Sequence, residues 1–417
     1  MPNAQATAAM PVPRDLRSIA AMYLLHGLNI GLPLITIPFL TRSLGAQQYG
    51  AYGLILSWIA ISAVLIEFGY GVSGTKRLHD GADQLADDVA GRVALYQCLH
   101  AVLVLPILAL AVWFSSADAA LSPLAMGLLL VAAWLLGTTT LWFHVAQATV
   151  AQLLAPTLAT KSLSLLLTVV ALPLLPSLEL ALAAYLAANL WVLVSLNDQY
   201  SSMRRQWRLF VWRDFMTQLR ISAPIPMQRL GTMLYTYLPT AMAAVWFGLS
   251  AAGWYFLADR IVRGVIGLFT PLTAHLLPKQ IAAYKGQRTA DRSLTQMLTA
   301  VLLVALAATV MLALLAEPIC RLLGGIGFAA AAPMLIWLAP LTVLVTANAL
   351  LLNHLYAANA QGAVAWVVWG CAALYLPSVF SYGRTSLTVF AALSMLVEAA
   401  VLLCFIALVR RSRRVAA

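Results

Sequence analysis

Twelve long apolar runs, separated by short polar breaks, account for most of this chain of 417 residues. A helix needs about 20 apolar residues to cross the hydrocarbon layer of a bilayer, and each run is about that long. Charged residues make up only 9% of the sequence, against about 25% in soluble domains. These features exclude a soluble enzyme and predict an all-α polytopic membrane protein with about 12 transmembrane helices. The predicted spans are residues 18–41, 49–71, 92–114, 121–145, 153–176, 178–198, 221–247, 251–277, 294–316, 328–352, 363–383 and 386–409.

The lysines and arginines are distributed unevenly between the two sides of these spans. With the N-terminus in the cytoplasm, eighteen of them fall on the cytoplasmic side and only Arg42, Arg321 and Arg384 on the other. Basic residues are enriched in the cytoplasmic loops of membrane proteins, so both termini are expected in the cytoplasm. The net charge of +11 then reflects these loops, and no nucleic-acid partner is expected. Residues 1–13 carry no charged side chain and are not expected to form a cleaved signal peptide.

The two halves of the chain share a spaced motif. Residues 45–54 and 248–257 both follow the pattern G-x4-G-x-Y-x-L at an offset of 203, and the same offset relates Lys76 to Lys279. The matches follow the first and seventh spans and the second and eighth spans. Six spans per half give both halves the same orientation. The motif therefore indicates a parallel repeat, which transporters build around a central site; chance similarity between glycine-rich helices is the alternative.

A basic segment separates the two halves. We expect residues 1–200 to form an N-terminal six-helix lobe, 201–220 a basic cytoplasmic linker, and 221–417 a C-terminal six-helix lobe with a basic tail. Prolines recur in the first and seventh spans, and a proline removes a backbone donor and kinks a helix. A broken helix at the same place in both lobes suits a central cavity that opens alternately to each side, although such kinks also serve bundle packing.

Three segments of the chain combine glycines, prolines and aromatic residues: PLITIPFLTRSLGAQQYG at residues 33–50, EFGYGVSGT at 67–75 and GWYFLADRI at 253–261. Together these segments resemble Wzx-type oligosaccharide flippases. The resemblance covers residues 14–290, and the rest of the chain agrees in span count. It implies membership of the multidrug/oligosaccharidyl-lipid/polysaccharide exporter superfamily, with two six-helix lobes.

The resemblance also implies a substrate and a direction of transport. The substrate would be an oligosaccharide repeat unit linked to undecaprenyl pyrophosphate, moved by alternating access from the inner to the outer leaflet of the bacterial cytoplasmic membrane. The glycan would then be built into O-antigen, capsule or exopolysaccharide. A polysaccharide polymerase and a chain-length regulator are the implied protein partners, beside the membrane lipids.

Three arginines lie within the predicted spans. An ionisable side chain at that depth costs several kcal/mol unless it is paired or hydrated, so each one is a functional candidate. Arg260 and Arg263 share a helix face, and Arg229 lies in the seventh span. Because a guanidinium stays charged and binds phosphate oxygens in a bidentate way, we expect these arginines to hold the substrate pyrophosphate. The alternative is a structural pair between Arg263 and Asp259, four residues before it, while the other arginines reach the interface.

Further charged residues are candidates for binding and coupling. Arg42, at the outer end of the first span, and Lys161, inside the fifth, are candidate pyrophosphate ligands; Arg42 could equally anchor the interface, and Lys161 could snorkel. Glu398, Glu67 and Asp259 are candidates for ion coupling, because a carboxylate in a span can bind and release a proton or cation. For Glu398 the alternative is a neutral carboxyl group that is hydrogen-bonded within its lobe.

The sequence contains no motif for enzymatic chemistry. The scattered histidines lack metal-ligand spacing, and neither a P-loop nor a nucleophile motif occurs, so no catalytic residue, metal, cofactor or direct use of ATP is expected. A cation-coupled drug antiporter of the same superfamily is the nearest alternative function, and the membrane arginines disfavour it. A polysaccharide polymerase or ligase would need a large outer loop, and no predicted outer loop exceeds about fifteen residues. A structural partner in glycan assembly is the remaining alternative.

Overall fold

The computed structural model describes residues 16–80, 86–115, 121–147, 149–284, 292–358 and 360–416. All regular structure within these ranges is helical, which confirms the predicted all-α class. Arg14, Lys285 and Arg288, three of the eighteen basic residues predicted to be cytoplasmic, lie outside the described residues.

Eighteen α-helices follow one another along the described chain. The first ten are α1 (Leu16–Glu67), α2 (Tyr70–Asp80), α3 (Ala86–Ser115), α4 (Pro123–Gly137), α5 (Leu141–Ala146), α6 (Leu154–Leu166), α7 (Leu172–Leu174), α8 (Leu178–Ala187), α9 (Trp191–Arg208) and α10 (Trp212–Ser222). The others are α11 (Pro224–Thr236), α12 (Leu238–Tyr284), α13 (Arg292–Leu314), α14 (Ala316–Gly324), α15 (Ala332–Leu338), α16 (Leu341–Ala357), α17 (Gln361–Ser378) and α18 (Leu387–Ala416). Contacts group the chain into a first unit, residues 1–29, 58–171 and 179–226, and a second unit, residues 30–57, 172–178 and 227–417.

Within the described residues, nine helical segments are long and apolar enough to cross a membrane. Two of them, Tyr23–Leu78 and Pro226–Ala282, contain 56 and 57 residues, more than twice the ~20 that one crossing needs. The segments Leu178–Ala187 and Trp191–Asn197 pass the same test together, with a bend of 44° between them. When each long segment counts as two crossings and the bent pair as one, the total agrees with the twelve predicted spans.

A single glycine interrupts each of the two longest helices, α1 and α12. The non-helical residue inside α1 is Gly45 (φ 67°, ψ 178°), and inside α12 it is Gly248 (φ 82°, ψ 168°). This backbone region is open almost only to glycine, because a Cβ would clash with the neighbouring peptide. Loops were predicted at both places, and the structure has one-residue breaks instead, because the flanking residues keep helical angles. The two breaks are 203 residues apart, so the repeat is confirmed in the backbone.

The second glycine of each motif brings the repeats into contact within the second unit. A Cβ on Gly50 would overlap the carbonyl oxygen of Leu249, and a Cβ on Gly253 would overlap that of Ala46. Ala46 and Leu249 are themselves equivalent at the offset of 203, so the contact is reciprocal. Glycine is required at both positions because the helices approach backbone to backbone.

In the first unit, α3 and α9 pack side by side in antiparallel directions. Asp88 pairs with Arg205 at 3.2 Å, and a Cβ on Gly91 would lie 2.6 Å from the carbonyl carbon of Ser202. The partner number falls as the α3 number rises, which gives the antiparallel direction. Helices α2 and α4 pack against α3, and α10 packs against α2.

In the second unit, α12, α16 and α18 pack against one another, and α15 contacts α12 and α18. Helix α17 lies against α18, and α13 against α16. Only 11% of the most apolar stretch of α13 is buried, and large side chains such as Leu303 and Leu314 are exposed. In a membrane these side chains face lipid, so α13 lies at the periphery of the unit.

Candidate substrate-binding and ion-coupling residues

Arg263 and Asp259 form an ion pair on α12. Arg263 Nε donates to Asp259 Oδ2 over 2.7 Å, and Asp259 is only 5% exposed. The spacing of four residues places both side chains on one helix face, so the pair predicted as an alternative for these two residues is present. A buried charge that loses its partner costs about 3–5 kcal/mol, and Asp259 therefore holds Arg263 in place.

A break between α11 and α12 supplies a second partner for Arg263. Helix α11 ends at Thr236 and α12 begins at Leu238, directly before Pro239. Proline cannot donate to the preceding turn, so carbonyl groups there need other partners. Arg263 Nη2 donates to the Thr236 carbonyl oxygen over 3.0 Å, and its guanidinium lies 5.7 Å from the Tyr237 ring centre. Arg263 thus stabilises the kink that the prolines of the seventh span predicted.

Arg260 has a different environment, although it lies only three residues from Arg263. Its guanidinium lies over the Phe256 ring, 4.7 Å from the ring centre. Such a cation–π contact contributes about 0.5–2 kcal/mol, less than a buried ion pair. Among the residues that the structure describes, no carboxylate pairs with Arg260. Arg260 therefore keeps its hydrogen-bond donors available to a ligand.

Glu398 on α18 is bound by Asn348 of α16. Asn348 Nδ2 donates to Glu398 Oε2 over 2.8 Å and to the Glu398 backbone oxygen over 3.2 Å. Arg263 is also close enough to interact electrostatically with the Glu398 carboxyl group. The structure thus brings Asp259, Arg263 and Glu398 together in one unit. The hydrogen-bonded alternative that the sequence left open for Glu398 agrees with the Asn348 contact.

Arg42 and its neighbour Thr41 bind the C-terminal end of α14. Arg42 Nη2 donates to the Leu322 carbonyl oxygen over 2.9 Å, and Thr41 Oγ1 donates to the Leu323 carbonyl oxygen over 2.7 Å. The last carbonyls of a helix have no partner inside it, and a cation there also interacts favourably with the helix dipole. Arg42 is exposed, so part of its guanidinium stays accessible.

Glu67 occupies the break between α1 and α2. Its carboxylate accepts hydrogen bonds from Gly69 N over 3.1 Å and from Gly71 N over 3.1 Å. The break contains Phe68 (φ 45°) and Gly69 (φ 73°), a left-handed turn that costs a side-chain-bearing residue about 1–2 kcal/mol. Glu67 satisfies the free amides at the start of α2, and this explains the acidic-aromatic-glycine sequence structurally.

The remaining two candidates, Lys161 and Arg229, are distant in sequence from Asp259, Arg263 and Glu398. Lys161 is on α6 of the first unit and is buried, with 7% exposure. Arg229 is on α11 of the second unit and is exposed. Among the described residues Lys161 forms no ion pair, whereas Arg229 has interactions of its own.

The uncharged groups that bind Arg263 and Glu398 were not predicted from the sequence. Thr236 and Asn348 carry no charge, and they lie 27 and 50 residues from the side chains they bind. A weak signal existed for Asn348, because it is an amide inside an otherwise apolar span. His144 is another case, since its Nε2 lies 2.7 Å from Ser195 Oγ and its Nδ1 lies 3.1 Å from Thr149 Oγ1. In the described part of the chain, no cluster of metal-ligating side chains occurs.

A known family matches most of this chain. The family described as "Polysaccharide biosynthesis protein" matches residues 16–279. The chain belongs to this family. The match includes Asp259, Arg260 and Arg263 of α12, whereas Glu398 of α18 lies outside it.

Two relatives carry the name "Putative O-antigen transporter". The protein from Escherichia coli (strain K12) is 28% identical over 67 residues, which cover 16% of this chain and 16% of that protein. The protein from Shigella dysenteriae is 20% identical over 274 residues, which cover 63% of this chain and 66% of that protein. The matched part therefore spans less than two thirds of either relative.

The fold is that of a solved transporter class. A multidrug resistance transporter of the MATE family and MOP superfamily, solved in an inward-facing conformation, superposes with a TM-score of 0.69 at 12% identity, over 95% of this chain and 97% of that one. The predicted superfamily fold is confirmed. The chain is therefore a multi-pass membrane protein of the polysaccharide biosynthesis family with the fold of that transporter.

Proposed function

We propose that this protein moves undecaprenyl-pyrophosphate-linked oligosaccharide repeat units from the inner to the outer leaflet of the bacterial cytoplasmic membrane. Membership of the polysaccharide biosynthesis family supports a glycan cargo, and the names of the two relatives support O-antigen or a similar polysaccharide. A polymerase would then use the delivered repeat unit. Alternating access by the lobes at residues 1–200 and 221–417, joined by the linker at 201–220, is the proposed route.

The environment of Arg260 is the observation that supports this proposal most directly. Arg260 is a cation within a long apolar segment, and its guanidinium lies over the neutral Phe256 ring. An uncompensated charge at such a depth is costly, and a pyrophosphate would supply the missing negative charge through bidentate hydrogen bonds. Arg260 is therefore the primary pyrophosphate ligand in our proposal. Arg263 orients the site from its pair with Asp259, and Arg42, Arg229 and Lys161 act at entry or release.

Glu398 is the proposed group for ion coupling. Of the three carboxylates considered, Glu67 binds two backbone amides and Asp259 pairs with Arg263. Glu398 receives a hydrogen bond from a neutral amide, and Arg263 lies within electrostatic range. A proton or cation bound at Glu398 would change the field at Arg263, and this links the coupling ion to the arginines of α12.

The test is transport of a fluorescent undecaprenyl-pyrophosphate oligosaccharide in vesicles that contain the purified protein. We expect Arg260→Gln to lower the flipping rate roughly 10- to 100-fold, because charge-assisted hydrogen bonds contribute about 1.5–3 kcal/mol. Arg384→Gln is the matched control. Arg384 also lies over an aromatic ring, 4.9 Å from the Trp246 ring centre, but it is outside the candidate spans.

Equal rates for Arg260→Gln and wild type would contradict the role of Arg260. Flipping that is absent in the wild type, together with efflux of cationic dyes, would favour the drug antiporter instead.

With Glu398→Gln, we expect the flipping rate to become independent of an imposed proton or sodium gradient. A gradient response that survives this change would remove Glu398 from the proposal and leave the cargo assignment intact.

A further inference from the structure

The turn between α9 and α10 exposes arginine and tryptophan side chains together. We name residues 204–213 the arginine–tryptophan bend. Within it Trp207 is 59% exposed and Trp212 is 62% exposed. Leu209 and Val211 are exposed between them, and so are the arginines of the bend, Arg204, Arg205, Arg208 and Arg213. Large apolar side chains are thus presented beside cations on one short segment.

The two tryptophans are held in place by other aromatic rings. Trp207 stacks on Phe210 with 6.2 Å between ring centres, and Trp212 lies 6.4 Å from the same ring. Trp212 also lies 5.4 Å from Phe215, which is buried. Each tryptophan therefore contacts the protein on one side and is open on the other. Their exposure belongs to a packed cluster and not to a loose loop.

These packed aromatic side chains lie close to the end of a membrane-spanning segment. Phe215 is 5.1 Å from Tyr96 of α3, ring centre to ring centre. Tyr96 belongs to the candidate span Ala86–Phe114, and a helix rise of 1.5 Å per residue places it about 27 Å from Phe114. The hydrocarbon layer is about 30 Å thick, so Tyr96 is near one boundary. The bend then lies in the headgroup layer beside that boundary, where tryptophan is favoured.

The charge of this segment is strongly positive. Residues 204–220 contain five arginines and a single acidic residue, Asp214. Arg205 is paired with Asp88 of α3. Within the described part of the chain, Arg204, Arg208 and Arg213 form no ion pair. Four to eight basic residues directly beside a membrane helix are typical of binding to anionic lipids, with about 1 kcal/mol for each residue near the surface.

We propose that the arginine–tryptophan bend is a binding site for anionic phospholipids. Arg204, Arg208 and Arg213 bind the lipid phosphodiester groups, and Trp207 and Trp212 insert at the boundary between headgroups and acyl chains. The occupant is a lipid because exposed indole rings and cations lie together at the end of a span, where a phospholipid offers both complementary groups. This site does not depend on the identity of the transported cargo.

The test uses the full-length chain in a neutral detergent and native mass spectrometry of retained lipid. Phosphatidylglycerol and phosphatidylcholine with identical acyl chains are titrated against the wild type and against the variant Arg204→Gln/Arg208→Gln/Arg213→Gln. We expect the variant to bind phosphatidylglycerol about tenfold more weakly or worse, with phosphatidylcholine unchanged. The matched control is Arg410→Gln/Arg411→Gln/Arg413→Gln, which removes the same number of charges from the basic tail.

Each outcome decides the proposal. Selective loss of phosphatidylglycerol in the bend variant, with binding retained in the tail variant, supports it, as does weaker binding of both lipids to Trp207→Ala/Trp212→Ala. Equal loss in the tail variant, or unchanged phosphatidylglycerol binding in the bend variant, overturns it. Displacement by millimolar inorganic phosphate also overturns it, because the site would then recognise a free anion. An unchanged thermal transition in phosphatidylcholine confirms that each variant is folded.

Discussion

At the scale of single residues, the partner of each intramembrane charge determines what its removal does. Asp259 neutralises Arg263, Phe256 covers Arg260, and Asn348 binds Glu398. A cation with a carboxylate partner contributes to stability and orientation, whereas a cation beside a neutral ring still needs an anion. The two neighbouring arginines of α12 should therefore respond differently to the same substitution.

We expect Arg263→Gln to lower the free energy of unfolding by about 3–5 kcal/mol, because Asp259 is left buried and unpaired. The double variant Asp259→Asn/Arg263→Gln removes both charges and should recover most of that loss. Thermal unfolding of the purified protein in detergent measures both effects. The flipping assay then separates the roles of Arg263. Recovery of stability without recovery of transport indicates a contact with substrate, whereas recovery of both indicates a purely structural pair.

The sequence contained enough to find these charges but not their neutral partners. The scarcity of charge identified Asp259, Arg260 and Arg263, and the spacing of four residues gave the ion pair as an alternative to substrate binding. Thr236 and Asn348 could not be predicted as partners, since a backbone carbonyl and an amide become specific only when distant helices pack together. The alternative role of Glu67 was also hidden, because its contacts depend on the left-handed turn at Phe68 and Gly69.

At the scale of helices, the glycine motif located the two helix breaks but not their form. The pattern placed equivalent glycines 203 residues apart, and both first glycines break a helix with a positive φ. The motif was interpreted as a loop because glycine and polar residues usually end a helix. A continuous helix with one irregular residue cannot be distinguished from a short loop by composition.

We expect Gly45→Ala and Gly248→Ala each to cost about 1–3 kcal/mol of unfolding free energy, because this backbone region is open almost only to glycine. Apart from the adjoining backbone, no atom lies within 4 Å of a Cβ built at either position, so the penalty comes from the local backbone conformation and not from tertiary packing. Gly27→Ala and Gly127→Ala are matched controls. They are equally free of contacts, lie in regular helix, and should be neutral or stabilising by up to about 1 kcal/mol. Equal thermal shifts in all four variants would refute this explanation.

At the scale of the whole molecule, the fold class could be predicted from the sequence, and the close contacts between particular helices could not. Hydropathy located the spans because each must be apolar along about 20 residues. The second unit includes residues 30–57 from the first half of the chain. That grouping depends on close contacts such as the one between Gly50 and Leu249, and hydropathy does not encode which helices approach each other.

The basic residues make a prediction about the orientation of the whole chain. Eighteen lysines and arginines fall on one side of the predicted spans and three on the other, and the side rich in positive charge faces the cytoplasm. A green fluorescent protein fused after Ala417 should therefore be fluorescent. Alkaline phosphatase fused after Arg384, between α17 and α18, should be active, because that enzyme folds only outside the cytoplasm. An active phosphatase at Ala417, with a fluorescent reporter at Arg384, would reverse the orientation, and reporters that place both positions on one side would contradict the crossing by α18.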